Sequence, residues 1–123
     1  RRDGIDCERW NLLHPEQKPR VPYVRQCLEK YEGPAVASTD YMRSFPDQIR
    51  PYLDRHFVTL GTDGYGRSDT RENLRRFFEV DRYYVTVAAL KALADEEVIK
   101  ADQVTKAIRK YDIDTEAPNP STV

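Results

Sequence analysis

Apolar positions recur along this chain with two periods, and the change from one to the other marks the elements. Trp10 and Leu13 stand three apart at the end of a short helical pattern over residues 6 to 13, which Pro15 stops. After the connector HPEQKPRVP, Pro22 stands where a helix tolerates a missing N–H, and Val24, Cys27, Leu28 and Tyr31 follow as one apolar stripe. Gly33 and Pro34 close that segment, Gly33 as its left-handed cap. AVAS, residues 35 to 38, and HFVTLG, residues 56 to 61, are short apolar runs with the length of buried strands. Between them Thr39 or Asp40 can cap a helix with Met42, Phe45, Ile49 and Tyr52 inward, which Pro46 and Pro51 kink or split.

Three helical patterns complete the chain. Asp69 and Glu72 fit a D-x-x-E capping box, ahead of a helix that buries Leu74, Phe77 and Phe78. Asp81 begins the next helix, through RYYVTVAALKALADEE; residues 83 to 90 also suit a strand, but the Ala-Leu-Lys-Ala-Leu continuation favours a helix. The last helix, residues 102 to 111, sets Val104, Ala107, Ile108 and Tyr111 on one face. Residues 112 to 123 read as a polar, proline-bearing tail.

Two strands joined by a helical crossover are the grammar of a parallel sheet, so the class is α/β. Two strands cover too few helix faces for about six helical segments. We therefore expect a sheet whose first strands lie upstream of Arg1, consistent with a chain that opens Arg1-Arg2-Asp3 without an initiator Met or a signal-peptide core. A length of 123 residues gives one domain, 1–123. Twenty basic against 21 acidic side chains leave a net charge of −1, which argues against a general nucleic-acid or anionic-membrane partner. No apolar run approaches the roughly 18 residues that cross a bilayer. The two cysteines, Cys7 and Cys27, fall in helical patterns and are expected to be free thiols in a reducing compartment.

The stretch GTDGYGRSD, residues 61 to 69, is richest in candidate chemistry. A phosphate loop needs Lys and then Ser or Thr after its last glycine, but Gly66 precedes Arg67 and Ser68. A dinucleotide fingerprint needs a glycine where Asp69 stands, and Asp63 with Asp69 is too sparse for a calcium loop. What remains is a strand-to-helix turn, with Gly64 and Gly66 allowing positive φ and Asp69 capping the helix, or an interface or anion contact through Arg67 and Ser68. His14 and His56 share no ligand spacing with either cysteine, and Ser68 lacks a histidine partner. Arg71, Arg75 and Arg76 lie among Glu72, Glu79 and Asp81, the pattern of a solvated or ion-paired face.

DCERWNLLHPEQKPRVPYV, PAVASTDYMRSF, LGTDGYGRSDTRENLRRFFEVDRYYVTVAAL and YDIDTEAPNP resemble the carboxy-terminal end of homodimeric bacterial pyruvate dehydrogenase decarboxylating components. These are thiamine-diphosphate enzymes of the transketolase superfamily, and the Gly-x-Asp-Gly-aromatic-Gly-x-Ser core is shared more loosely with transketolases. The resemblance implies a three-layer sandwich, with helices on both sides of a mixed five-stranded sheet. It implies a cytoplasmic parent of pyruvate metabolism and glycolysis, which oxidatively decarboxylates pyruvate and acetylates a lipoyl group with thiamine diphosphate and magnesium. Implied partners are the remaining domains of the subunit, the second subunit of a homodimer and the lipoyl acetyltransferase. Thr62-Asp63-Gly64 imitates the start of the family's Gly-Asp-Gly cofactor motif, but the downstream Asn is missing from AALKALADEE. No catalytic, cofactor or metal residue maps onto this chain, which is expected to be inactive alone and to bind no cofactor by itself. Asp63, Gly64, Gly66, Arg67, Ser68 and Asp69 are instead expected to form a packing turn, with ion pairs and caps across a domain or subunit contact. Pro46 and Pro51 depart from the plain helix expected there. Other readings are a transketolase, another 2-oxo acid dehydrogenase, or a stand-alone dimerisation module.

Overall fold

In a computed structural model describing residues 1–123, the chain forms six helices and two strands. In order they are α1 (Arg2–Leu13), α2 (Tyr23–Leu28), β1 (Ala35–Ser38), α3 (Ser44–Asp47), β2 (Phe57–Leu60), α4 (Arg71–Phe77), α5 (Arg82–Asp95) and α6 (Ala101–Lys110). A 3-10 turn, Arg50–Tyr52, follows α3, so the crossover between the strands is split in two as expected, with Pro46 in the first piece and Pro51 in the second. No helix is long and apolar enough to cross a membrane.

The strands run parallel in the register Ala35↔Phe57 to Ser38↔Leu60. Ala35 N–H donates to His56 (2.9 Å) and Thr39 N–H to Leu60 (3.0 Å), so the odd positions of β1 face β2. Val36 and Ser38 therefore turn their backbone groups to the opposite edge. On the outer edge of β2 the Arg50 guanidinium donates to the Phe57 carbonyl and lies over the Phe57 ring. Asp47 holds Arg50 (2.8 Å) and accepts from the Thr59 hydroxyl (2.9 Å). One strand edge is thus closed by side chains and the other is open.

Helix α5 packs across both strands and against α6. Its Tyr-Tyr-Val-Thr-Val segment is helical because the Asp81 carboxylate accepts from Tyr83 N–H (3.1 Å) and Tyr84 N–H (3.0 Å), and because small Ala92, 1% exposed, allows close packing. Helix α6 buries Val104 and half-buries Ala107 and Ile108, while Asp102 and Lys106 pair outside. Helix α1 starts at Arg2, earlier than its apolar pattern, and seats Gly4 on Tyr52; a Cβ there would lie 2.6 Å from three ring atoms. Asn11 exchanges hydrogen bonds with the backbone of Arg20 (3.0 and 2.7 Å), and Arg20 lies over Trp10, which pins the proline-rich connector to α1.

Three expectations change. The stripe of α2 is not a buried face: the helix ends at Leu28, Cys27 is exposed and Tyr31 is 66% exposed. Gly33 (φ 96°) shapes the turn into β1 and does not cap α2. Met42 and Phe45 are each 54% exposed, leaving Tyr52 as the buried member of its predicted face. Only 12 of 123 residues are buried and no large side chain is fully enclosed, so much of the apolar pattern has no partner within the chain.

Candidate functional site

A connected set of polar residues gathers at the carboxyl ends of the two strands, the place where open parallel sheets bind ligands. Two loops meet there, 39–43 after β1 and 61–70 after β2. Gly61 allows the meeting: a Cβ would stand 2.7 Å from Arg43 N and 2.9 Å from Tyr41 O. Thr62 fastens it, donating its N–H to Tyr41 O (2.9 Å) and its hydroxyl to Asp40 O (2.6 Å). Asp63 accepts from Arg43 N–H (3.2 Å) and pairs with its guanidinium (3.7 Å).

Asp40 caps no helix. Arg75 of α4 grips its two oxygens with a two-pronged fork, at 3.2 and 2.9 Å. That fork, before any other influence, holds the Asp40 carboxyl below the usual carboxylate range. The pair stands between two open cavities. One, about 750 Å3, is lined by Asp40, Arg71, Arg75, Arg76, Asp81 and Arg82 among others. The other, about 500 Å3, is lined by Asp40, Gly64, Tyr65, Arg67 and Asp69 with the flank of α4.

Three of the four arginines that line the larger cavity are engaged, one of them by a carboxylate. Arg75 is held by Asp40, Arg76 donates to the Asp112 carbonyl (3.0 Å), and Arg82 donates to the Tyr83 hydroxyl (2.8 Å). The Asp81 carboxylate is committed to the cap of α5. The face expected from the sequence is thus ion-paired only through Arg75, and with Asp40 rather than with Glu72, Glu79 or Asp81. His14 lies apart, stacked on Trp10 in α1 (centroids 4.3 Å), and the backbone of His56 serves β1, so no nucleophile–base pair forms at the strand ends.

The six turn residues take different roles from those expected in part. Gly64 has positive φ (116°), but Gly66 does not, and no atom would meet a Cβ on it. Thr70, not Asp69, is the N-cap of α4: its backbone is extended and its hydroxyl accepts from Asn73 N–H (3.2 Å). Asp69, one residue earlier, accepts from the Asn73 side-chain amide (3.0 Å) and Thr70 N–H (2.7 Å); the amide, then the N–H, keep its carboxyl below the usual range. Arg67 forms no ion pair and lies 3.9 Å over the Phe77 ring. Ser68 is exposed at the tip. Sequence reasoning missed Tyr65, 79% exposed beside it, and Tyr41, 70% exposed; aromatic residues read as core until their faces prove uncovered.

The turn does not fit a magnesium–pyrophosphate site. The Asp63 carboxylate is engaged by Arg43, Gly64 faces the Pro120 carbonyl, and no group of three His, Cys, Asp or Glu residues is placed to hold a metal.

A family model of the transketolase-like TK C-terminal domain matches residues 7–81, which takes in both strands, the crossover and the whole turn. The chain belongs to this family. It is 60% identical over 122 residues to the pyruvate dehydrogenase E1 component of Cupriavidus necator, covering 99% of this chain and 14% of that protein. The E1 component of Pseudomonas aeruginosa is 54% identical over 98% of the chain, and that of Escherichia coli K12 is 55% identical over 97%. These two are covered over 14% and 13% of their own lengths, so the chain spans about one seventh of the relatives it matches. The similarity extends beyond the family model through α5 and α6.

Proposed function

We propose that this chain is a structural and interface-forming domain of a pyruvate dehydrogenase decarboxylating subunit, with residues 1–123 acting as one unit. The observation that carries the reading is the uncovered apolar surface. Leu12, Tyr23, Tyr31, Tyr41 and Tyr65 are each at least 66% exposed while only 12 residues are buried, as expected for a layer that other parts of a larger protein cover. The open edge of β1 is where further strands of a mixed sheet would pair. The identity to E1 components over nearly the whole chain supports this parent, which would be a cytoplasmic enzyme of pyruvate metabolism and glycolysis.

In that parent, thiamine diphosphate and magnesium would supply the decarboxylation chemistry from residues outside this chain. Its partners would be the other domains of the subunit, the second subunit of a homodimer and, through the assembled enzyme, the lipoyl acetyltransferase. The turn at Asp63, Gly64, Gly66, Arg67, Ser68 and Asp69 would be a packing element. Asp63, Arg67 and Asp69 are satisfied locally, and Tyr65 and Ser68 remain free to meet a neighbour.

The test uses the intact subunit that carries this sequence. Tyr65→Ala and Arg67→Ala should weaken subunit association or thermal stability and leave thiamine diphosphate affinity near wild type. A steep loss of cofactor affinity with the dimer unchanged would overturn the structural reading.

A further inference from the structure

The last twelve residues carry no apolar period, yet Pro120 is buried. The chain reaches that position along a defined path. Asp112, with φ 52°, turns the backbone at the end of α6, and its carbonyl is held by Arg76 of α4 (3.0 Å). Ala117 and Pro118 then line a cavity of about 450 Å3 together with Asn73, Phe77 and Tyr84. At Asn119 the chain closes into a tight turn. The Asn119 side-chain oxygen accepts from Ser121 N–H (3.0 Å) and the Ser121 hydroxyl (2.7 Å), and its carbonyl accepts from Thr122 N–H (3.0 Å) and the Thr122 hydroxyl (2.9 Å).

That turn delivers the Pro120 carbonyl to Gly64. A Cβ on Gly64 would lie 2.6 Å from Pro120 O and 3.2 Å from Ser121 Cα, so the two backbones meet at a distance only glycine permits. A second link runs through α4. Arg67 of the glycine turn covers the Phe77 ring, and Phe77 also lines the cavity on which Ala117 and Pro118 rest. Two segments about fifty residues apart in sequence therefore hold each other, directly and through one shared aromatic residue.

We infer that residues 112–123 are a strap that sets the conformation of the glycine turn, and through it the shape of the 500 Å3 cavity at the strand ends. The coupling is reciprocal, because a contact that stabilises one segment stabilises the other by the same free energy. A partner that pulls the tail away would loosen the turn, and one that reshapes the turn would release the tail. This property belongs to the chain itself and does not depend on the parent enzyme proposed above.

Amide hydrogen exchange on the full chain tests it, with Gly64→Ala, Asn119→Ala and Gly66→Ala compared. Asn119→Ala removes the side-chain acceptor of the two Ser121 bonds, keeps the main-chain carbonyl that holds Thr122, and touches nothing in the turn. The expected result is exchange at least about tenfold faster for Ser121, and also for Thr62, Thr70 and Asn73, with α5 amides unchanged. Gly64→Ala should produce the same two-sided loss, and Gly66→Ala neither part. Faster exchange in the tail of Asn119→Ala with the turn amides at wild-type rates would overturn the strap. A chain ending at Tyr111 gives a second route: adding the peptide of residues 112–123 should restore protection of the turn. Failure to restore it at saturating peptide would also overturn the proposal.

Discussion

Gly61→Ala probes the joint on which the strand-end site is built. Gly61 is buried at the end of β2, where an added Cβ would come within 2.7 Å of Arg43 N, 2.8 Å of Arg43 Cγ and 2.9 Å of Tyr41 O. The Cγ can swing away, but the two backbone atoms cannot, because Thr62 N–H and the Thr62 hydroxyl tie that loop at 2.9 and 2.6 Å. Overpacking of this kind costs about 1–3 kcal/mol. Loss of one loop hydrogen bond adds about 1 kcal/mol. Stiffening of the unfolded chain by alanine returns about 0.4–1 kcal/mol. The net is a destabilisation of about 1–3.6 kcal/mol, or a melting temperature lower by roughly 4–14 °C for a chain of this size. Gly66→Ala, five residues on, is the control: no atom would meet its Cβ and its φ is not positive, so stability should stay level or rise by up to about 1 kcal/mol. Urea unfolding followed by far-UV circular dichroism reads both variants, provided the denaturant dependence is the same for each. Equal midpoints for the two alanines would refute the packing argument.

Other outcomes follow from the caps and charges. Asp81→Ala removes the acceptor for two N–H groups of α5 and should cost about 1–2 kcal/mol in the same unfolding assay, with Asp81→Asn recovering most of it. The carboxyls of Asp40 and Asp47 are lowered chiefly by hydrogen bonds from Arg75 and Arg50 respectively. Their contribution to stability is present above the ordinary carboxylate range and is lost as the pH falls through their depressed values, so Asp40→Asn should flatten the acid limb of a stability–pH curve. Glu79 behaves oppositely: burial raises its carboxyl, and its contribution is lost as the pH rises through that raised value. Glu79→Gln should therefore stabilise the protein at neutral pH and make little difference in acid, as thermal melts at the two pH values would show.

What could be read from the sequence was local. Ala35–Ser38 and Phe57–Leu60 are apolar runs of strand length, and Asp81 precedes a helix whose N–H groups it satisfies, so each signal and its consequence lie within a few residues. The ends of α4, α5 and α6 were harder. Each turns at a residue with positive φ that is not glycine, Glu79, Glu97 and Asp112, and no composition rule marks a glutamate for that conformation. Asp69 and Thr70 are both good caps, and the choice fell to Thr70 because its own backbone is extended. The Arg75–Asp40 fork and the seat of Pro120 on Gly64 join residues 35 or more apart, so periodicity has nothing to say about them. The stripe of α2 was a real pattern without a surface inside the chain to bury it, which is why it misled about burial.

The central claim is that these 123 residues form a packing and interface domain without a cofactor site of their own. Isothermal titration of the 123-residue chain with thiamine diphosphate in the presence of magnesium tests it most directly. The account predicts no saturable heat, because Asp63 is held by Arg43 and Gly64 by the tail. Saturable binding that Asp63→Asn abolishes would contradict it and place cofactor chemistry at the glycine turn.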